Sequence, residues 1–449
     1  MKKLLAILLA LVLMVGVFAG CGAKPASSAA ASVATSAPAT DDPTQMTAEI
    51  TWWAFPTFGQ ENADDPAGTY EKTVIEAFNA KYPNIKVNLE TIDFTSGPDA
   101  ITAAIEGNAA PDVLFDAPGR IIEYGKNGKL VALDDLFTEE YTKDVNSEAL
   151  LNACKGNGTA YMYPLSSAPF YMTINEQQWK DAGALEFVNM EGDRTWTIES
   201  FEKALAALKK AGKAPGTLFC QGQGGDQGTR AFVSNLAGGQ IANADKTAYA
   251  MNSAEGVEGL TMAQKWIQDG MLGNGVAYNG GSDIELFVNG NTAFTFCWGA
   301  STQLANQATL DTNKITNISL PFPSKSGKPN LEYLVNGFCV FNNGDDARAA
   351  AAKEFIKFVC DDATWGPKDV VRTGAFPVRS SFGDLYAGDE TKALLSSWTQ
   401  YYGPYYNTMD GFANMRTEWW NMLQTVTNGD DVKTVLDAYV EKANAGMKA

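Results

Sequence analysis

From residue 49 onward the chain switches repeatedly between two hydrophobic periods, and that switching restricts it to a layered α/β fold. Glu49-Ile50-Thr51-Trp52-Trp53-Ala54-Phe55 is rich in β-branched and aromatic side chains and breaks at Pro56 and Gly59. Val74, Phe78 and Tyr82 then recur at i, i+4 and i+8 ahead of Pro83, which marks one helix face and its stop. Residues 85–89 alternate as a strand does, residues 101–106 are helical in character up to Gly107, and residues 111–115 form a short apolar run. Strand, helix, strand, helix, strand predicts βαβ units around a largely parallel sheet. Asp116 to Arg120 fall just past a strand's C-terminal end, the place where open α/β sheets bind ligands.

Further along, residues 161–165 and 170–174 are predicted as two strands flanking Ser166-Ser167-Ala168-Pro169. Thr197 is predicted to cap a helix with Phe201, Leu205 and Leu208 turned inward. A strand at 217–220 runs into the glycine-rich stretch 221–228. That stretch lacks the Gly-Lys-Ser/Thr ending of a phosphate-binding loop, so it is no phosphate cradle. Residues 293–297, 315–320 and 334–341 have β character. The end is helical, with one stripe on Ala352, Phe355, Ile356 and Val359 and another on Val432, Val435, Leu436, Tyr439 and Val440. No internal repeat is evident.

Ahead of this lie Lys2 and Lys3, the apolar run 4–17, and the small residues Ala19 and Gly20 before Cys21, the order of an export signal. The run is shorter than the roughly 20 residues of a membrane-spanning helix. Ending in cysteine, it resembles a bacterial lipoprotein signal, which implies residues 1–20 as signal peptide, lipidation of Cys21 and a mature chain anchored on the outer face of the cell membrane. Residues 22–47 are mostly Ala, Ser, Thr and Pro, so 21–47 is expected to be a flexible linker. After the signal about 430 residues remain, too many for one hydrophobic core and suited to two lobes.

A net charge of −18 repels nucleic acid and anionic lipid, leaving the N-terminal lipid as the membrane contact. Histidine is absent, which removes the usual general base, the commonest transition-metal ligand and any Ser/His or Cys/His pair. Of six cysteines, those beyond Cys21 (Cys154, Cys220, Cys297, Cys339 and Cys360) are widely spaced, neither a disulfide framework nor a metal pattern. The expectation is free, buried thiols, one disulfide being left open, and neither metal nor cofactor.

Several segments together resemble bacterial extracellular solute-binding proteins of the maltose-binding-like superfamily, the capture subunits of ABC importers. They are ITWW at 50–53, FNAKYPNIKV at 78–87, APDVL at 110–114, GKLVALD at 128–134, TWT at 195–197, FVNG at 287–290 ahead of Ala293-Phe294, and AAKEF at 351–355. The resemblance spans roughly residues 48–445 and implies a two-lobed periplasmic-binding-protein type II fold with the ligand in a cleft between lobes. By the same analogy the chain crosses between lobes near 163–170, 283–292 and 334–340. One lobe is then 48–165 with 288–335, and the other 166–287 with 336–449. Binding would close the lobes about a hinge. The implied partners are a sugar and the permease subunits of an ABC transporter, with the protein a monomer rather than an enzyme.

A sugar site needs aromatic rings against C–H faces and a polar rim of carboxylates, amides and guanidinium groups for the hydroxyls. Trp53 and Phe55 lead into the first loop, where the family places ligand contacts. Trp298, directly after a strand, matches the stacking tryptophan of the family's sugar binders. Asp116 and Arg120 match the loop that supplies hydrogen-bonding groups, although maltose binders carry an aromatic ring where Asp116 stands and an aspartate before the arginine. A maltodextrin-like binding mode is therefore not implied. Gln223, Asp226 and Arg230 on the glycine-rich stretch, Tyr333 and Asn336 near the third crossing, and Phe412 at a late helix start complete the candidates. Two alternatives stay open: the same fold holding a cation such as a polyamine through cation–π contacts, and a glycoside hydrolase working with two carboxylates.

Overall fold

The computed structural model describes residues 42–58, 65–94, 96–145, 147–222 and 224–447. The expected signal, Cys21, the linker up to residue 41 and Gln223 lie outside them. Of the expected linker, residues 42–47 are described, with a short turn at Pro43–Gln45 and Met46 packed on the hydrophobic core.

The predicted alternation is present. Strand β1 (Ala48–Ala54) lies between β2 (Ile85–Thr91) and β3 (Val113–Asp116), parallel to both, with Ile50 opposite Val87 and Trp52 opposite Val113. Helices Thr69–Lys81 and Gly97–Glu106 make the crossovers. Period-2 alternation sends Ile50, Trp52 and Ala54 into the core and leaves Trp53 half-buried on the other face. A two-residue hairpin, β4 (Lys155–Gly156) and β5 (Thr159–Ala160), precedes the long strand β6 (Tyr163–Asn175). Then come β7 (Thr217–Phe219) and β8 (Gly273–Gly275), parallel to each other, followed by β9 (Phe294–Gly299), β10 (Asn317–Leu320), β11 (Tyr333–Val340) and β12 (Phe376–Pro377).

The large sheet runs β2-β1-β3-β11-β6-β10, with β9 and β12 also on β6. Parallel pairing is confined to β1, β2 and β3; every other pair in this sheet is antiparallel. The two strands expected around Ser166-Pro169 are one. β11 supplies a partner through that stretch, Asn336 opposite Ser166 and Tyr333 opposite Pro169, so the ladder continues where local propensity is weak.

Two hydrophobic cores flank the crossing strands. The first holds β1–β3, Trp52 with Phe338 and Phe355 around it, and buried residues from 338 to 378. The second holds β7 and β9, the helix Ile198–Lys210 capped by Thr197 as predicted, and buried residues from 287 to 331. The expected division is thereby corrected: most of 288–335 packs with the second half, and most of 336–378 with the first, Phe376 excepted. Strand pairing is the reason. β9 and β10 both lie on the second half of β6, whereas the helix Asp346–Asp361 brings Phe355 to 5.1 Å from Phe78 and 5.3 Å from Trp52. The chain crosses between cores from Leu165 to Tyr171 and from Leu331 to Tyr333, is back in the second core by Leu395, and touches the first again at Tyr405 just before Tyr406. The crossing expected at 283–292 is a helix, Gly280–Val288, packed in the second half.

Candidate functional site

A cavity of about 1030 Å³ opens between the two halves, walled by both and floored by Ala168, Pro169, Leu334 and Asn336 of the crossing strands. Asp116 ends β3 and is 7 % exposed. One turn on, Arg120 grips it with two parallel bonds, Nε to Oδ2 and Nη2 to Oδ1, each 2.6 Å. Burial works against the guanidinium's charge, but the Asp116 carboxylate outweighs it and the Arg120 pKa is raised. The pair presents a fixed polar edge with its charges already matched. Beside it, burial raises the Glu123 carboxyl, and Tyr124 is held above its usual range for the same reason.

Phe94, just past the end of β2, lines the cavity and is 58 % exposed. Its rear face lies against Phe55, which is buried. The Arg120 guanidinium sits 5.5 Å from the Phe55 ring centre. Phe55 therefore acts as backing for a cavity-wall aromatic instead of lining the cavity itself.

The opposite wall carries Gln227, Phe412 and Arg416. Arg416 donates from Nε and Nη2 to the two oxygens of Asp226, at 2.9 and 2.7 Å. Asp226 also pairs with Arg230, and both are sealed from solvent. Burial would raise the Asp226 pKa, yet the two guanidinium groups prevail and lower it. Phe412 meets the first half directly: a Cβ on Gly119 would fall 2.7 Å from its ring. Lys126 adds a second tie, donating to the Thr408 carbonyl and the Asp410 carboxylate at 2.7 Å each.

Four helices, Pro118–Lys126, Asp226–Ala237, Ala300–Thr312 and Phe412–Thr427, start at the cavity wall, and none has a side-chain cap. Helix starts of this kind offer backbone N–H donors to acceptor-rich ligands.

Of the residues expected from sequence, Asp116, Arg120, Asn336 and Phe412 are brought together on this cavity. The others go elsewhere. Trp298 is fully buried, its indole N–H donating to Gln303 at 2.9 Å and its ring 5.3 Å from Phe287, so it packs the second core. β9 is buried along most of its length and irregular beside Tyr171, and Trp298 pairs with that residue inside the second half. Trp53 packs at the edge of the first core, and Tyr333, 3 % exposed, stacks on Tyr402 at 4.0 Å. Asp226 and Arg230 stand behind the wall. Phe94, Phe170, Gln227, Asn407 and Arg416 went unrecognised in the sequence. Phe94 could have been found by the rule that pointed to Asp116, since it too follows a parallel strand's C-terminal end.

Among the described residues no cluster of acidic or cysteine side chains could hold a metal ion, and no helix is long and apolar enough to cross a membrane. Cys154, Cys220, Cys297, Cys339 and Cys360 are free thiols.

Two α/β halves, joined by crossing strands and walling a large cavity between them, are the architecture of a two-lobed solute receptor. The chain belongs to the bacterial extracellular solute-binding protein family, whose model matches residues 62–364. Its fold is similar to that of an ABC substrate-binding protein of Listeria monocytogenes in complex with cycloalternan, with TM-score 0.69, 20 % identity and 90 % and 99 % of the two chains covered. It is similar also to the cyclic alpha-maltosyl-1,6-maltose binding protein of Arthrobacter globiformis, with TM-score 0.71, 20 % identity, and 90 % and 99 % covered. A Thermotoga lettingae solute-binding protein bound with alpha-D-tagatose gives TM-score 0.72 at 17 % identity over 89 % and 100 %. No curated protein sequence matches the chain.

Proposed function

We propose that this protein captures a neutral oligosaccharide in the cavity between its halves and hands it to the permease of an ABC importer. The observation that carries the reading is the cavity wall. The exposed Phe94 ring faces across it, amides of Gln227, Asn336 and Asn407 line it, and both of its guanidinium groups are already matched by carboxylates. With both guanidinium groups paired, the aromatic and amide lining favours an uncharged, hydroxyl-rich ligand over an anion, while the carboxylates of Asp99, Glu106 and Glu123 on the same wall keep a cation as the alternative. The volume, about 1030 Å³, is at the top of the range for small-molecule sites, roughly 300–1,000 Å³, and suits several sugar units better than one. The oligosaccharides named for two structurally similar proteins agree with this. Asp116, Arg120, Asn336 and Phe412 are ligand contacts in this reading, joined by Phe94 and Arg416. Cys21 carries the lipid anchor and the protein acts as a monomer.

Thermal stabilisation by glucose, maltose, maltotetraose and cyclic α-glucans, with spermidine and choline as cationic probes, tests the proposal. An oligosaccharide should raise the melting temperature in a concentration-dependent way. Stabilisation by the cations alone, lost at high salt, would transfer the assignment to a cationic solute. No response to any probe would remove the carbohydrate reading.

A further inference from the structure

Behind the cavity wall four charged groups form one buried chain. Arg416, on the wall, holds Asp226, and Asp226 holds Arg230. Arg230, fully buried, donates from Nε to Glu332 Oε1 at 3.1 Å and to the Tyr406 hydroxyl at 2.7 Å, and from Nη2 to Glu332 Oε2 at 2.9 Å. Tyr406 closes the ring by donating to Glu332. Both far members stand at places where the chain passes between cores. Glu332 lies between Leu331 of the second core and Tyr333 of the first, and Tyr406 follows Tyr405, which belongs to the first. The backbone carbonyl of Glu332 accepts from the Phe170 N–H at 2.8 Å, so the same residue also touches the β6 crossing.

A buried arginine with five donors and no route to water demands a full set of acceptors. Here the acceptors come from a helix of the second half and from two crossing segments. Burial disfavours the charge on Arg230, but Asp226 and Glu332 more than restore it. The Phe412 ring, 5.7 Å from both guanidinium carbons, sits against this chain and against Gly119 of the first half. A change of contact at Arg416 thus has a contiguous, charge-matched path to the hinge.

We propose that Arg230 is a positioning residue that ties occupancy of the cavity, felt at Arg416 through Asp226, to the geometry of the hinge at Glu332 and Tyr406. The inference rests on the cavity being the solute site, but its hinge half does not need the solute to be a sugar. Ligand contact at Arg416 repositions Asp226, and Arg230 carries that shift to two crossings at once. Lobe closure and solute binding are then linked reciprocally.

Hydrogen exchange in the full chain without ligand tests the hinge half, using Tyr406→Phe, which removes one hydroxyl, and Glu332→Gln, which keeps the side-chain shape. Amides of 166–174 and 331–336 should exchange about tenfold faster in both variants, while β1 and the helix Ile198–Lys210 keep their wild-type protection. Unchanged exchange at the crossings, or equal acceleration throughout both cores, would overturn the proposal. Binding of maltotetraose, or of whichever of the sugar and cation probes stabilises the wild type most, supplies the other half. The variants should bind about tenfold more weakly, and the probe should slow crossing exchange less than it does in the wild type. Equal ligand protection in wild type and variants would refute the coupling. A wild type that binds no probe would refute the sugar reading and the coupling to it, while the exchange result still decides whether the network fixes the hinge.

Discussion

The Phe94 ring stacks on that of Phe55, centroids 4.8 Å apart and planes 2° from parallel, and it lines the cavity. An apolar ring 58 % exposed contributes little to folding but a good deal to a ligand that stacks on it. Phe94→Ala should therefore weaken oligosaccharide binding by about 1 kcal/mol, near fivefold, and move the melting temperature by no more than about 2 °C. Calorimetric titration beside a thermal melt separates the two. A large loss of stability with unchanged affinity would place the ring in the core.

Trp298 is the converse case. Its indole is fully buried against Phe287, so Trp298→Ala should cost about 3–5 kcal/mol in denaturant unfolding. Trp298→Phe, which keeps much of the volume, should bind sugar as the wild type does. A strong, selective loss of affinity in the phenylalanine variant would restore the stacking role.

Asp369 is buried, and among the described residues the Tyr70 hydroxyl, 2.7 Å away, bonds one of its oxygens while the other has no partner. Burial pushes its carboxyl up to about 8. The folded chain thus holds a proton there that the unfolded chain, with an ordinary aspartate near 4, gives up. Its contribution to stability is complete at acid pH and declines as pH rises from about 4 through 8. Melts from pH 5 to 9 should show Asp369→Asn gaining on the wild type as pH increases. A constant difference between the two would contradict the assignment.

Gly119 meets Phe412 of the other half at the cavity's edge, where a Cβ would stand 2.7 Å from the ring. Gly119→Val should wedge the halves apart, lowering sugar affinity at least about tenfold while each core stays intact. The check is a binding titration paired with the ligand-free melting temperature. Wild-type affinity in this variant would show that closure does not need the contact.

The sequence by itself determined the layering. Hydrophobic period identified the βαβ run, the Thr197 cap and the late helices, because each depends on residues a few positions apart. A strand end pointed to Asp116 and Arg120, and the family resemblance to Asn336 and Phe412, all four of which line the cavity. Which half owns residues 288–378 was decided only by strand pairing over long separations: β9 and β10 chose the far half of β6, and Phe355 chose Trp52. The fates of Trp298 and Phe94 were settled in the same way. Both are aromatic residues near the end of a strand, and local composition is blind to which face has a neighbour. Packing sealed one against Phe287 and left the other open over Phe55, since burial depends on the partner the fold brings up and not on the residue alone.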